Sequence, residues 1–226
     1  MRIKTSRVDI TLDDKVKLLL VIGPNGAGKT NLLEEIAFGT ALLDPHMYAL
    51  QVYEPDLSYI EELRTEEQKE VAKLVAEYFD DSILYVYTAD EPRALLKDLT
   101  DLPVRKLGRG MSSIISLVSF IVHNRPELLL VHDFEQYSLD AVNTQKLARF
   151  ILDQPFKTII SATSNYAILI EEVAAMDRDD EVMLLLMNRS AYELMTVEEA
   201  LDIMDYENLT QFAMRIREAK GSEQAK

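Results

Sequence analysis

The segment Gly23-Pro24-Asn25-Gly26-Ala27-Gly28-Lys29-Thr30 carries the densest chemical signal in the chain. Glycines at 23, 26 and 28 let the backbone turn with its N–H groups facing inward and let a ligand approach closely. Pro24 removes only one of those donors, and Asn25-Gly26 tolerates a left-handed turn. Lys29 adds a cation and Thr30 a hydroxyl where a helix begins, and the positive end of a helix favours an anion. Such a nest suits a nucleoside triphosphate: Lys29 reaches the β and γ oxygens, and Thr30 offers magnesium the hard oxygen it prefers. The expected ligands are therefore ATP and Mg2+, bound through Gly23, Asn25, Gly26, Ala27, Gly28, Lys29, Thr30 and Asn31.

Three later segments carry further candidates. Leu128 to His132 is an apolar strand pattern that ends in Asp133, and Phe134 and Glu135 follow. A carboxylate at the end of a buried strand can accept from metal-bound water, and Glu135 reaches the same place if the chain stays extended beyond it. Leu107-Gly108-Arg109-Gly110-Met111 opens an apolar helix, so Gly110 lies at a helix start able to face a phosphate. Ile159-Ile160-Ser161-Ala162 leads to Thr163, whose hydroxyl can bond a γ-phosphate, and to Ser164, which can cap the next helix.

Gly-Pro-Asn-Gly-Ala-Gly-Lys-Thr-Asn-Leu-Leu resembles the start of the ABC ATPases of the RecF, SMC and OLD-like group. The later segments follow in the order of that group across most of the chain. The resemblance implies a signature loop at 107–111, a D-loop at Ser138-Leu139-Asp140, a switch residue at Thr163 and a Walker B acid at Asp133 as the metal-side residue. This ungapped alignment is preferred to one slipped by a residue, which puts His132 at the metal and makes Asp133 the base. It also implies a nucleotide-dependent homodimer sandwiching two ATP molecules, with Gln51 as a Q-loop candidate. Three positions depart from the group. Gly108 replaces the signature Ser, Phe134 occupies the place of the catalytic Glu, and Thr163 stands for His. Catalysis, if any, rests on Lys29 with Glu135 or Asp133 as base, and the expected activity is weak or partner-stimulated hydrolysis. A nucleotide switch without turnover is the alternative, and the ATP-binding subunit of a transporter a further one.

These residues need a scaffold. Leu18 to Ile22 is continuously apolar, as in a strand buried on both faces, and Asn31 to Phe38 has helical spacing of Leu32, Leu33 and Ile36. Alternation continues with helices over 111–123, 139–152 and 166–176, strands over 128–132 and 158–161, a hairpin over 181–195, and helices after Thr196 and Asn208. Residues 3–10 form an amino-terminal strand, Thr65 with Gln68 opens a helix, 83–87 is a strand and 91–99 a short helix with Pro92 in its first turn. The expected fold class is α/β: a mainly parallel P-loop NTPase sheet with flanking helices, an antiparallel amino-terminal strand region and a small helical insertion at about 44–100. One domain over 1–220 and a flexible tail over 221–226 follow.

Composition narrows the function. The chain has no cysteine, so disulfides and thiolate chemistry are excluded, and its three histidines, His46, His123 and His132, lack ligand spacing. No apolar run approaches the roughly 20 residues that span a bilayer, and the start has no signal-peptide pattern, so a cytoplasmic location without membrane insertion is expected. The formal charge of −15 opposes direct nucleic-acid binding. Arg2, Lys4 and Arg7, and Arg105, Lys106 and Arg109, are the local clusters able to override it. No heptad arm follows the phosphate loop; a protein partner is expected and its identity is not encoded here.

Overall fold

The computed structural model describes residues 1–38, 42–44, 49–52, 55–164 and 166–216, of which 42–44 and 49–52 are described by backbone alone. The strands are β1 (Arg2–Lys4), β2 (Asp9–Thr11), β3 (Leu18–Ile22), β4 (Leu42–Asp44), β5 (Ala49–Val52), β6 (Ile83–Thr88), β7 (Pro92–Leu96), β8 (Asp101–Pro103), β9 (Leu128–Val131), β10 (Lys157–Ala162), β11 (Val182–Met187) and β12 (Tyr192–Thr196). The helices are α1 (Lys29–Ala37), α2 (Ser58–Glu61), α3 (Thr65–Tyr78), α4 (Arg109–Asn124), α5 (Ala141–Asp153), α6 (Tyr166–Ala175), α7 (Val197–Met204) and α8 (Leu209–Arg215).

Among the described residues the main sheet has the order β12-β11-β3-β10-β9-β5, and every pairing is parallel except β11 with β12. β3 is buried at every position, and its alternating side chains enter two different cores. Leu18, Leu20 and Ile22 pack with α3 to α8, while Leu19 and Val21 pack with Leu32, Leu33 and Ile36 of α1 and with Ile3, Val8 and Ile10 of the amino-terminal strands. The period of two along a strand thus holds helices on both faces. Each fully buried Leu or Ile contributes roughly 1.5–3 kcal/mol, so the strand leading to the Gly-rich loop is firmly held on both faces.

Some expectations are corrected. The amino-terminal segment is two strands, because Thr5 N–H donates to the Val8 carbonyl and turns the chain back at Ser6-Arg7; β1 then sits between β2 and β4 in an antiparallel sheet. Residues 91–99 are not helical. Pro92 opens β7, a first strand position that a proline tolerates, and Arg93, opposite Pro103 in the β7–β8 ladder, donates from Nε to the Asp101 carboxylate. The expected helical insertion therefore holds β6 and β7 beside α2 and α3, β8 just beyond it completes their antiparallel sheet, and β5 within it belongs to the main sheet. The cap of α3 is one residue early: Arg64 N–H donates to Glu67 Oε2. His46 and the expected tail at 221–226 lie outside the described residues.

The last two helices begin where expected, after Thr196 and Asn208, and both residues cap them. Thr196 Oγ1 accepts from Glu199 N–H, whose carboxylate accepts in return from Thr196 N–H, and Asn208 Oδ1 accepts from Thr210 N–H. Thr196→Ala should lower stability by about 1 kcal/mol, read as a shift in the urea midpoint with an unchanged slope.

Candidate nucleotide site

Register brings three strand ends to one edge of the sheet. Ala162 pairs with Ile22, and Ile160 with Val131, so Gly23, Thr163 and the His132-Asp133 pair emerge side by side from β3, β10 and β9. Ligands of parallel α/β sheets bind beyond such carboxyl ends.

The Gly-rich loop is shaped from several sides. Gly26 and Gly28 take φ of 77° and 95°, and Gly28 caps α1. A Cβ on Gly28 would lie 2.0 Å from Arg7 Nη1, and one on Gly23 would lie 2.2 Å from the Met187 carbonyl oxygen. Arg7 is a staple: Nη1 donates to the Ala27 carbonyl at 2.9 Å, and Nη2 to the carbonyls of Asn188 and Arg189 at 2.8 and 2.7 Å. It ties the turn between β1 and β2 to the phosphate loop and to the β11–β12 turn.

Lys29 is buried, with its ammonium donating to the Gly23 carbonyl at 2.7 Å, the Pro24 carbonyl at 3.2 Å and Thr163 Oγ1 at 3.0 Å. Burial pulls its pKa below the usual lysine value, and the carboxylates of Asp133 and Glu135 oppose that pull. Thr30 is exposed on the second residue of α1. Asp133 takes a left-handed conformation, φ 39° and ψ 68°, and its N–H donates to Ser161 Oγ at 3.0 Å. A hydroxyl and a carboxylate beyond the same sheet edge are hard donors of the kind that magnesium takes, and they fit that ion with water and phosphate completing its shell.

The chain does not stay extended after Asp133, which corrects the route expected for Glu135. A 3₁₀ turn over Phe134–Tyr137 sends Phe134 and Tyr137 into the core, with stacked rings 6.3 Å apart. The same turn swings Glu135 back to the site. Its Oε1 accepts from Thr163 N–H at 2.7 Å, from Ser164 N–H at 2.5 Å and from Ser164 Oγ at 3.3 Å. His132 is buried, and desolvation lowers its pKa, so Asp133, which is only partly buried, holds the accessible position at the end of β9.

Gly110 is in the first turn of α4, after Gly108 at φ 95°. A Cβ there would lie 3.3 Å from the Ser138 carbonyl oxygen and 3.7 Å from Leu139 Cδ2, so the helix start is packed on the next loop of its own chain. Gln51 pairs with Leu130 in the β5–β9 ladder, and its side chain lies outside the described residues.

Sequence reasoning missed Arg7 as a loop staple, Ser161 as the anchor of Asp133, and Thr210, whose Oγ1 donates to the Thr163 carbonyl at 2.7 Å. Arg7 had a signal, its place in a basic cluster, but the cluster is spent internally: Arg2 and Lys4 both face Asp9 at 3.0 and 3.8 Å. In the second cluster Arg105 pairs with Glu91. Among the described residues, no helix is long and apolar enough to cross a membrane.

No protein-family model matches the sequence, and no curated protein matches it. Solved structures do. One is cbiO1 from Clostridium perfringens, part of the ABC transporter complex cbiONQ, with TM-score 0.59 and 15% identity over 88% of this chain and 84% of that one. Another is the SMC head domain from Thermotoga maritima, with TM-score 0.56 and 12% identity over 87% of this chain and 99% of that one. At these identities the likeness is one of fold: the chain shares the sheet-and-helix architecture of both.

Proposed function

We propose that this chain, built on the ABC-class P-loop ATPase fold, binds ATP with magnesium, closes as a homodimer around the nucleotide and passes that closure to a protein partner. The observation that carries the reading is the ammonium of Lys29, buried at the carboxyl edge of the sheet and bonded to Gly23, Pro24 and Thr163. Loop carbonyls are modest partners for a buried cation, and phosphate oxygens would replace them with charge-assisted bonds. Gly23, Asn25, Gly26, Ala27, Gly28 and Asn31 shape the rest of the cradle. Thr30 and Asp133 are the residues that would hold magnesium, which when bound offsets the negative charge of the phosphates. Gly110 would face the nucleotide of the second copy.

Turnover in this reading is slow and depends on the partner. Glu135 has its observed bonds on Oε1, which leaves Oε2 to orient a water for in-line attack, with Asp133 as the other candidate. The position after Asp133 gives no help, since Phe134 is in the core. That burial favours a second reading, a nucleotide switch or scaffold subunit that binds without hydrolysis. Work in DNA maintenance or defence and work in a transporter complex both remain within the proposed class, with a cytoplasmic location in either.

Calorimetric titration with ATP and magnesium, followed by mass measurement with a slowly hydrolysed analogue, tests the proposal. Saturable heat and a doubled mass are expected. Arg109→Glu, exposed in the first turn of α4, should keep the heat and lose the doubling. It is a cleaner probe than a substitution at Gly110, whose side chain would press on Ser138. No heat at millimolar nucleotide would end the binding claim, and a mass that never doubles would end the dimer claim. Phosphate release above the Lys29→Ala background separates the enzyme from the switch.

A further inference from the structure

All three polar groups of Thr163 are engaged, each by a different element. Its N–H donates to Glu135 in the turn after β9, its Oγ1 accepts from Lys29 in the phosphate loop, and its carbonyl accepts from Thr210 Oγ1 in the first turn of α8. The far end of α8 is also fixed to the nucleotide side. Asn188 Nδ2 donates to the carbonyls of Ala213 and Ile216, both at 2.8 Å, and the carbonyl of Asn188 accepts from Arg7, the staple of the phosphate loop. At the near end, the Tyr166 hydroxyl donates to Asn208 Oδ1 at 2.6 Å, and that oxygen also accepts from Thr210 N–H. α8 is thus tied across the candidate site, and among the described residues its hydrogen bond to Thr163 runs through the Thr210 hydroxyl.

We propose that Thr163 relays nucleotide occupancy to α8, with Thr210 as the positioning residue that receives it. The inference rests on the nucleotide reading above. When phosphate oxygens take the Lys29 ammonium, Thr163 Oγ1 loses its donor and turns its own hydroxyl from Asn25 Oδ1, 3.5 Å away, to the phosphate. Thr163 is drawn toward the loop while Glu135 keeps its N–H anchored, so the strained contact is the one between its carbonyl and Thr210. Nucleotide binding therefore loosens α8, the helix nearest the chain's described end. Because coupling between two sites is reciprocal, cutting the Thr210 link must strengthen nucleotide binding.

The test pairs hydrogen exchange over residues 208–216 with titration of ATP and magnesium, in wild type, Thr210→Val and Thr210→Ser. In wild type, saturating slowly hydrolysed analogue should speed exchange of the α8 amides about fivefold, the size of one ordinary hydrogen bond. Thr210→Val should exchange at that faster rate without nucleotide, show no further change with it, and bind nucleotide about fivefold more tightly. Thr210→Ser should restore both wild-type values. A residue that merely supports the fold would weaken nucleotide binding when cut, so tighter binding is the distinguishing result. If wild type binds nucleotide but α8 exchange does not move, or if Thr210→Val binds as weakly as wild type or more weakly, the relay is wrong while the nucleotide site stands. If wild type binds no nucleotide, both readings fall.

Discussion

Lys29→Ala should bind ATP with magnesium at least about a hundredfold more weakly than wild type, while unfolding at nearly the same denaturant concentration. The binding loss follows from the bonds at stake. A bond to a charged group contributes roughly 1.5–3 kcal/mol, and two of them to phosphate oxygens correspond to about two powers of ten or more in Kd. Stability is a different matter. The ammonium is buried and bonded to two loop carbonyls and a hydroxyl, so its desolvation offsets much of what those contacts return. Removing the whole group should change folding by no more than about 1 kcal/mol. Titration calorimetry and urea melts on the same preparations check both halves. Undiminished affinity in a folded variant would move the nucleotide, if one binds at all, to another part of the chain.

A larger effect on the fold is expected at a residue with no side chain. Gly23→Ala should lower stability by about 3 kcal/mol, because its Cβ would lie 2.2 Å from the carbonyl oxygen of Met187. That oxygen belongs to the last residue of β11, the strand paired in parallel with β3, and Met187 is itself buried. Neither strand can move without disturbing the six-stranded sheet. Gly26→Ala is the control. It has only the cost of a positive φ, about 1 kcal/mol, since its Cβ would meet nothing nearer than the Arg189 guanidinium at 3.5 Å. The order of the two losses in chemical denaturation is the measured quantity. Equal losses would mean that the approach to β11 is looser than described.

What was legible in the sequence was what depends on local chemistry. The runs Leu18 to Ile22 and Leu128 to Val131 could only be strands covered on both faces, and Thr196 and Asn208 cap the helices that they announced. The Gly-rich loop was legible because its mechanism needs a strand before it and a helix after it, and both are there. Features that depend on distant partners were not legible. Pro92 satisfies the first position of a helix as well as that of a strand, and only pairing with β6 and β8 decides between them. Phe134 looked like a lost catalytic residue. Its side chain joins the core around Tyr137, because the left-handed Asp133 turns the backbone by an amount that no pattern of residue types records. Glu135 was placed at the site for a reason that does not hold, an extended chain, and reaches it by the turn. Arg7, 20 residues before the carbonyl it holds, stood out only as a member of a basic cluster, which says nothing of that distant partner.

The staple made by Arg7 has a thermodynamic corollary for any anion that enters the loop. A free Gly-rich segment of this length samples many conformations, and a ligand that must order it binds more weakly for that reason. Here the Ala27 carbonyl is already fixed by a guanidinium that also grips the β11–β12 turn. The entropy of ordering is met when the polypeptide folds, before any ligand arrives, so the receptor is rigid in advance and association should proceed without a slow rearrangement step.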